Sequence, residues 1–182
     1  MSGLIARRYA KAIIAVAQEQ NALEQIGDEL RLLRALAADA QIAQGLANPL
    51  LSADARRGLA RAIAEQLKLR PVMRNFLCLL ADHRRLDQLV GIADQYQRIL
   101  DQMLGRARAT ITSSAPLDPA QLESVTTALA RQTGRTVLAE ERVDPKLLGG
   151  LVVDIEGKVY DGSLRTQLET LAASIAGGRS LL

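Results

Sequence analysis

The spacing of the apolar residues changes once along the chain, at Gly105. Before this glycine, apolar residues recur every three or four positions, which is the spacing of amphipathic helices. After it, Arg106–Ser113 alternates and is rich in β-formers towards its end, which indicates a strand. The sequence therefore predicts a mainly α protein, with a helical bundle over 1–104 and a small α+β domain over 105–182.

Capping residues and prolines divide the first part of the chain into separate helices. Asn21 with Glu24 forms an N-cap and capping-box pair, which predicts the start of a second helix. The other predicted boundaries are the break at Asn48-Pro49, the N-cap Ser52, the first-position proline Pro71 and a last helix from Leu86 to Leu104.

The second part of the chain carries signals for both helices and strands. Asp118-Pro119 with Gln121 predicts a capped helix that runs to about Gln132 and is closed by Gly134. The remaining predictions are a strand at Thr136–Glu140, a hairpin from Leu151–Ile155 to Val159–Tyr160 with a tight Glu156-Gly157 turn, and a final helix after Ser163.

The composition favours close-packed aliphatic helices in a reducing compartment. Aromatic residues make up 2% of the 182 residues, with one Phe, three Tyr and no Trp, so the core must be aliphatic. The single Cys78 excludes an intramolecular disulfide, and with the single His83 it offers too few ligands for the usual metal sites. No apolar run approaches the roughly 18 residues of a transmembrane helix, so we expect no direct membrane insertion.

The net charge raises the question of nucleic-acid binding. The chain has a formal charge of +3 and a pI of about 9.3. Its basic residues are spread along the sequence and almost every cluster has acidic neighbours, which favours an ordinary solvated surface. A helical protein that binds RNA or DNA is the alternative function, but it would need a one-sided basic stripe and, for single strands, stacking aromatic residues. The sequence predicts no nucleic-acid partner.

Two segments are more apolar than a single packed helix face requires. On a helical wheel, the apolar residues of positions 4–18 fill an arc of roughly 200°, whereas a helix packed on one core needs about 100° or somewhat more. Val72–Ala81 shows the same excess. Two interpretations remain open: each helix is enclosed within its own bundle, or one side faces the bundle and the other receives a partner helix.

The motifs of common enzyme classes are absent from the sequence. There is no GxxxxGK[ST] phosphate loop, no GxSxG, no HExxH and no CxxC. Asp161-Gly-Ser163 is explained by a turn followed by a helix N-cap. The sequence predicts no catalytic residue, no metal site and no cofactor, and therefore a protein that is not an enzyme.

One run of residues resembles a known family. Residues 144–165 read DPKLLGGLVVDIEGKVYDGSLR, and the DPxLxGG…DGS arrangement is specific at this length. This run resembles the signature of the ATP synthase delta subunit and its mitochondrial counterpart, the oligomycin-sensitivity-conferring protein. Ala6–Ala12 is similar to the opening helix of that family. Asn75-Phe-Leu77, with Leu80 and Arg85-Leu86, is similar to its fifth helix and the following turn.

The signature residues have physical roles in folding. Pro145 restrains Asp144 to an extended conformation. Gly149 and Gly150 can adopt backbone angles closed to other residues and allow two chain segments to approach closely. Asp161-Gly162 turns the chain, and Ser163 is the predicted cap of the last helix.

The resemblance implies a non-catalytic stator subunit of a proton-translocating F-type ATP synthase. In that family a six-helix N-terminal domain holds the N-terminal helix of an alpha subunit of the α3β3 catalytic head. The C-terminal domain meets the C-terminal ends of the b, or b and b′, subunits. One monomeric copy then lies on the cytoplasmic face of the bacterial inner membrane as a peripheral protein.

The resemblance also assigns the partner-binding residues. In the family, the first and fifth helices hold the alpha-subunit helix, and these are the two segments with wide apolar arcs. The predicted contact residues are Ile5, Tyr9, Ala12, Ile13 and Val16 on the first helix and Val72, Phe76 and Leu80 on the fifth. Whether Ile13 belongs to the interface or to the core is open at this point.

Overall fold

The computed structural model describes residues 2–48 and 50–169. Contacts between residues divide the chain into two units, the helical unit Met1–Leu100 and the α+β unit Asp101–Leu182. The helices of the first part are α1 (Ser2–Glu19), α2 (Leu23–Ala37), α3 (Ala40–Ala47), α4 (Ala53–Gln66), α5 (Pro71–Asp82) and α6 (Leu89–Met103). The last helix, predicted from Leu86, begins three residues later at Leu89, because Leu86–Gln88 form a separate 3-10 turn.

Three of these helices end on a residue with left-handed backbone angles that is not glycine. Asn21, Lys68 and Arg84 have φ values of 50°, 51° and 56°. After α1, the Ala22 N–H donates to Ala17 O and the Asn21 N–H to Gln18 O, which is the Schellman pattern. The same pattern closes α4 and α5. The predicted Asn21 N-cap is therefore wrong: Asn21 ends α1, and α2 begins after Ala22 without a side-chain cap.

The other helix starts follow the expected chemistry. Ser52 Oγ accepts a hydrogen bond from the Ala55 N–H at 3.1 Å, which confirms the predicted cap of α4. Pro71 is the first residue of α5, as predicted. Asp39 caps α3 by accepting from the Gln41 and Ile42 N–H groups, a cap that the sequence analysis missed.

Aliphatic side chains and one tyrosine form the core of the helical unit. Tyr96 on α6 is fully buried, and its hydroxyl donates to Leu23 O at 2.8 Å. A Cβ at Gly27 of α2 would lie 3.3 Å from Leu100 Cδ2 and 3.4 Å from Tyr96 Cε1. Because glycine leaves this space free, the side chains of Tyr96 and Leu100 pack directly against α2 at this position.

Tyr96 makes the stability of this unit sensitive to alkaline pH. Burial raises the pKa of Tyr96 to about 12 from its ordinary value of 10. The stabilisation that neutral Tyr96 gives the folded state is therefore complete below pH 10. It is lost as the pH rises towards 12, which lowers the free energy of unfolding by up to roughly 3 kcal/mol. We expect urea unfolding at pH 8 and pH 11.5 to show a larger loss for the wild type than for Tyr96→Phe, which has no group to ionise. Equal losses would contradict this assignment.

One arginine of the predicted solvated surface lies in the interior. Arg56 on α4 is buried; its Nε donates to Ala81 O at 3.1 Å and its Nη1 to Leu51 O at 2.5 Å. Including Arg56 among the solvated residues was therefore wrong. Its guanidinium joins α4 to the last turn of α5, where Ala81 O also accepts a hydrogen bond from the Arg84 N–H.

The α+β unit contains a four-stranded sheet with the order β2-β1-β3-β4. Its strands are β1 (Arg106–Ser113), β2 (Thr136–Val143), β3 (Gly150–Ile155) and β4 (Lys158–Ser163). β1 and β2 are parallel, with Arg106 opposite Thr136, whereas β3 is antiparallel to β1 and to β4. Strand β2 extends three residues beyond the predicted end at Glu140.

Helix α7 (Pro119–Thr133) forms the crossover that a parallel pair of strands requires. It starts with the predicted capping box between Asp118 and Gln121 and is closed by Gly134 at φ 66°. Its Leu129 packs on the alternate residues of the sheet that point to one face. These buried residues are Ala107, Ala109, Ile111, Val137, Val153 and Ile155.

The hairpin between β3 and β4 has the predicted two-residue turn. Glu156 and Gly157 both have positive φ, 52° and 88°, as the turn that matches strand twist requires. Residues 164–169 are helical, and the rest of the predicted final helix lies outside the described residues. Helices with one small sheet confirm the predicted fold class, a mainly α protein with a six-helix bundle and a small α+β domain.

Candidate docking surface

The wide apolar arc of α1 consists of a buried face and a neighbouring half-exposed stripe. The buried face consists of Ala6, Ala10, Ile13, Ile14 and Ala17. The α1 stripe consists of Ile5, Tyr9, Ala12 and Val16. Its members are separated by four, three and four residues, so they lie in one row along the helix. Ala12 is exposed and the other three are half-buried.

Helix α5 carries a second row, which meets the first at two aromatic rings. The α5 stripe consists of Val72, Phe76 and Leu79, at spacings of four and three residues. The rings of Tyr9 and Phe76 pack edge to face, with centroids 6.3 Å apart and planes at 70°. Because this contact joins the two helices, the half-exposed Tyr9 lies next to the α5 stripe.

Three of the eight predicted contact residues are buried in the structure. Ile13 is 3% exposed and Leu80 is 0% exposed, and both belong to the hydrophobic core of the helical unit. Phe76 is also largely buried, at 6%, beneath Tyr9. Ile13 lies about 80° from Ile5 around the helix, which turns it from the stripe towards the bundle.

Sequence reasoning missed Leu79, which is 45% exposed. Leu79 follows Val72 by seven residues and Phe76 by three, so it continues the same row. Leu80, the residue that was predicted instead, points 100° further round into the core. The seven-residue spacing between Val72 and Leu79 was the sequence signal that could have distinguished Leu79 from Leu80.

Cys78 and several charged side chains line a cleft between α4 and α5. Cys78 is half-buried, and the open cleft has a volume of about 470 Å³. Arg57 Nε and Nη2 donate to the two carboxylate oxygens of Asp82 at 2.5 and 3.0 Å. These hydrogen bonds hold the pKa of Asp82 below its usual range. The basic cleft is defined by Arg57, Arg61, Glu65, Arg74, Asn75, Cys78 and Asp82.

The signature run, residues 144–165, brings the start of β3 against the end of β4 at two glycines. Gly150 has φ 81°, and a Cβ there would lie 2.3 Å from Gly162 O and 2.9 Å from Ser163 Cα. At Gly149, with φ 145°, a Cβ would lie 2.7 Å from Leu164 Cδ1, and Gly149 O accepts from the Leu164 N–H at 3.0 Å. Both glycines therefore allow the two segments to touch.

The carboxylates of the signature accept hydrogen bonds from nearby donors. Asp161 Oδ1 accepts from the Ser163 N–H at 2.8 Å and Asp161 Oδ2 from the Thr166 hydroxyl at 2.8 Å. The Ser163 bonds and then the Thr166 bond lower the pKa of Asp161. Ser163 Oγ accepts from the Thr166 N–H, as a cap does. Asp144 Oδ1 accepts from the Lys146 N–H, next to Pro145.

Residues 2–48 and 50–169 contain neither a candidate membrane span nor a candidate metal site. Among them, no helix is both long and apolar enough to cross a membrane. They also contain no group of three or more His, Cys, Asp or Glu side chains placed to hold a metal ion.

Comparison with known proteins identifies the family. A family model described as "ATP synthase delta (OSCP) subunit" matches residues 5–175. The chain belongs to this family. The ATP synthase subunit delta of Anaeromyxobacter sp. (strain K) is 41% identical over 176 residues, which is 96% of this chain and 98% of that protein. That of Citrifermentans bemidjiense is 37% identical over 165 residues, 90% of this chain and 92% of that protein.

A solved structure supports the fold. A chain in the cryo-EM structure of the Toxoplasma gondii mitochondrial ATP synthase hexamer matches with a TM-score of 0.70 and 21% identity. The match covers 94% of this chain and 97% of that chain. The shared fold therefore covers residues of both the helical unit and the α+β unit.

Proposed function

We propose that this delta-family chain is a non-catalytic stator subunit of a proton-translocating F-type ATP synthase. Its helical unit, within 1–104, binds the N-terminal helix of an alpha subunit of the α3β3 head. Its α+β unit, within 105–182, contacts the C-terminal ends of the b-type subunits of the peripheral stalk. One copy holds the head still while the rotor turns, so that proton flow is coupled to ATP synthesis on the cytoplasmic face of the bacterial inner membrane.

The observation that carries the proposal is the apolar surface formed by the α1 and α5 stripes. Apolar residues at spacings of three and four on two neighbouring helices suit the apolar face of a third helix. The stripes leave Ile5, Val16, Val72 and Leu79 partly or largely accessible, around a buried contact between Tyr9 and Phe76. An amphipathic helix on this surface would cover side chains that are otherwise in contact with water.

The α+β unit offers accessible apolar side chains for the second contact. Large exposed apolar residues are a feature of binding surfaces when they are grouped. Those described in this unit stand at the end of α6 and just after it, on β2, on β4, on the segment before β3 and on residues 164–169: Met103, Leu104, Leu138, Val143, Leu148, Val159, Leu164 and Leu168. Because β2 and β4 are opposite edges of the sheet, these side chains do not form one patch; Leu164 and Leu168, four residues apart on one helical face, support the α+β unit as the part that meets the stalk.

Val16→Asp tests the head contact in the full-length chain. We expect the variant to melt like the wild type, because Val16 is half-exposed, and to bind an alpha-subunit N-terminal peptide at least thirtyfold more weakly. That factor corresponds to about 2 kcal/mol, the usual loss when an interface anchor is removed. Titration of the labelled peptide, followed by fluorescence anisotropy, measures the affinity.

Leu50→Asp is the matched control. Among residues 2–48 and 50–169, Leu50 is the most exposed of the large apolar side chains; it lies between α3 and α4, outside both stripes. We expect it to change the affinity less than twofold. Equal binding by the wild type and Val16→Asp would remove the α1 stripe from the head contact.

A further inference from the structure

Positive charge flanks the apolar surface on its α1 side. Arg7, Arg8 and Lys11 are exposed, and the first eighteen residues contain no Asp or Glu. The Arg8 guanidinium lies over the Tyr9 ring, with Cζ 5.8 Å from the ring centroid. Because Tyr9 belongs to the α1 stripe, this contact places Arg8 at the edge of the proposed docking surface.

Positive charge also flanks the surface on its α5 side, in the basic cleft. Arg57 is paired with Asp82, whereas Arg61 and Arg74 are exposed and make no ion pair among the described residues. Glu65 is the other acidic side chain of the cleft. The two unpaired guanidinium groups remain able to bind carboxylates, because the planar arrangement of their N–H donors matches the two oxygens of a carboxylate.

The basic cleft is next to the α5 stripe on the helix surface. At about 100° per residue, Asn75 of the cleft lies roughly 40° from Leu79 and 60° from Val72 of the stripe. Cys78 and Arg74 lie further round in the same direction, about 100° and 140° from Leu79, so Arg74 stands on the wall of the cleft that is remote from the stripe. The order around α5 is therefore core, apolar stripe and basic cleft. A helix lying on the stripe would have one of its polar flanks above the cleft.

We infer that the partner helix is acidic on both flanks of its apolar face. The inference rests on the proposed head contact and adds a specificity rule to it. Carboxylates on one flank face Arg8, and carboxylates on the other flank face the mouth of the basic cleft, which Arg61 and Arg74 line. A helix with lysines or arginines at those positions would bring like charges together, which disfavours the wrong partner.

The test uses the full-length chain and two synthetic peptides. The parent peptide contains the first 25 or so residues of the alpha subunit from the same source, and in the second peptide each Asp and Glu is replaced by Asn and Gln. We expect the amide peptide to bind about tenfold more weakly at low salt, with the difference shrinking at 0.5 M salt.

Two double variants show which arginines are responsible for the charge dependence of peptide binding. Arg61→Gln/Arg74→Gln is expected to weaken binding of the parent peptide three- to tenfold and to leave binding of the amide peptide unchanged. Arg131→Gln/Arg165→Gln removes the same charge from exposed positions of the α+β unit and is expected to change either affinity less than twofold. Melting of each variant by circular dichroism verifies that the fold is retained.

The outcomes separate the inference from the proposed function. If the wild type binds neither peptide, the proposed head contact fails. If it binds both equally well, and the Arg61/Arg74 variant behaves like the control, the contact stands and the acidic-flank rule is overturned. An alpha-subunit segment that binds without any Asp or Glu beside its apolar face would also overturn the rule.

Discussion

Ile13→Asp is expected to unfold the helical unit instead of weakening a surface contact. Ile13 is 3% exposed within the core that α1 shares with the other helices. A carboxylate there would be ionised without a partner or would have to be protonated, and either outcome costs several kcal/mol. A loss of about 4 kcal/mol or more is a large part of the 5–15 kcal/mol that stabilises a typical domain.

Comparison with the stripe makes this prediction specific. Val16→Asp adds the same group to the same helix, three residues away, at a half-exposed position. Helix content and melting temperature measured by circular dichroism should fall sharply for Ile13→Asp and remain close to wild type for Val16→Asp. If Ile13→Asp melts normally, the division of the wide arc into a core face and a docking stripe is incorrect.

Gly150→Ala is expected to disrupt the β3–β4 hairpin. The added methyl would lie 2.3 Å from Gly162 O and 2.9 Å from Ser163 Cα, which are backbone atoms and cannot rotate away. Its φ of 81° adds strain of about 1–2 kcal/mol for a residue with a side chain. We expect a total loss of about 3–5 kcal/mol from the α+β unit.

Gly157→Ala separates steric overlap from backbone strain. Gly157 has a similar φ of 88°, but a Cβ there meets no atom within 4 Å. Gly157→Ala should therefore lower the free energy of unfolding only by the backbone strain, about 1–2 kcal/mol. Urea unfolding of both full-length variants measures the difference, and equal losses would show that close approach to β4 is not what requires glycine at position 150.

Local chemistry predicted most of the elements because the relevant interactions span three or four residues. The Ser52 cap, the capping box at Asp118 and the Glu156-Gly157 turn depend only on neighbouring residues. Asn21 shows the limit of such signals. Asparagine suits both a helix N-cap and a left-handed helix end, and the chain uses it for the second.

The proposed docking surface lies on the two helices that the sequence singled out, but not on each of the residues named there. A helical wheel shows that the apolar arcs of α1 and α5 are wider than one packed face requires. It does not show which edge of each arc faces the bundle. That edge is set by neighbouring helices far away in sequence, as when Phe76 packs under Tyr9. Tertiary packing therefore assigned Ile13 and Leu80 to the core and left Leu79 at the surface.

Reconstitution of the head onto stripped membranes tests the proposed stator role most directly. Membranes depleted of the head and of this chain are mixed with purified head, with or without the purified chain, and then washed. The chain should restore both retention of ATPase activity on the membranes and ATP-driven proton pumping, whereas Val16→Asp should restore neither. Head that is retained and pumps protons equally well without the chain would contradict a stator role.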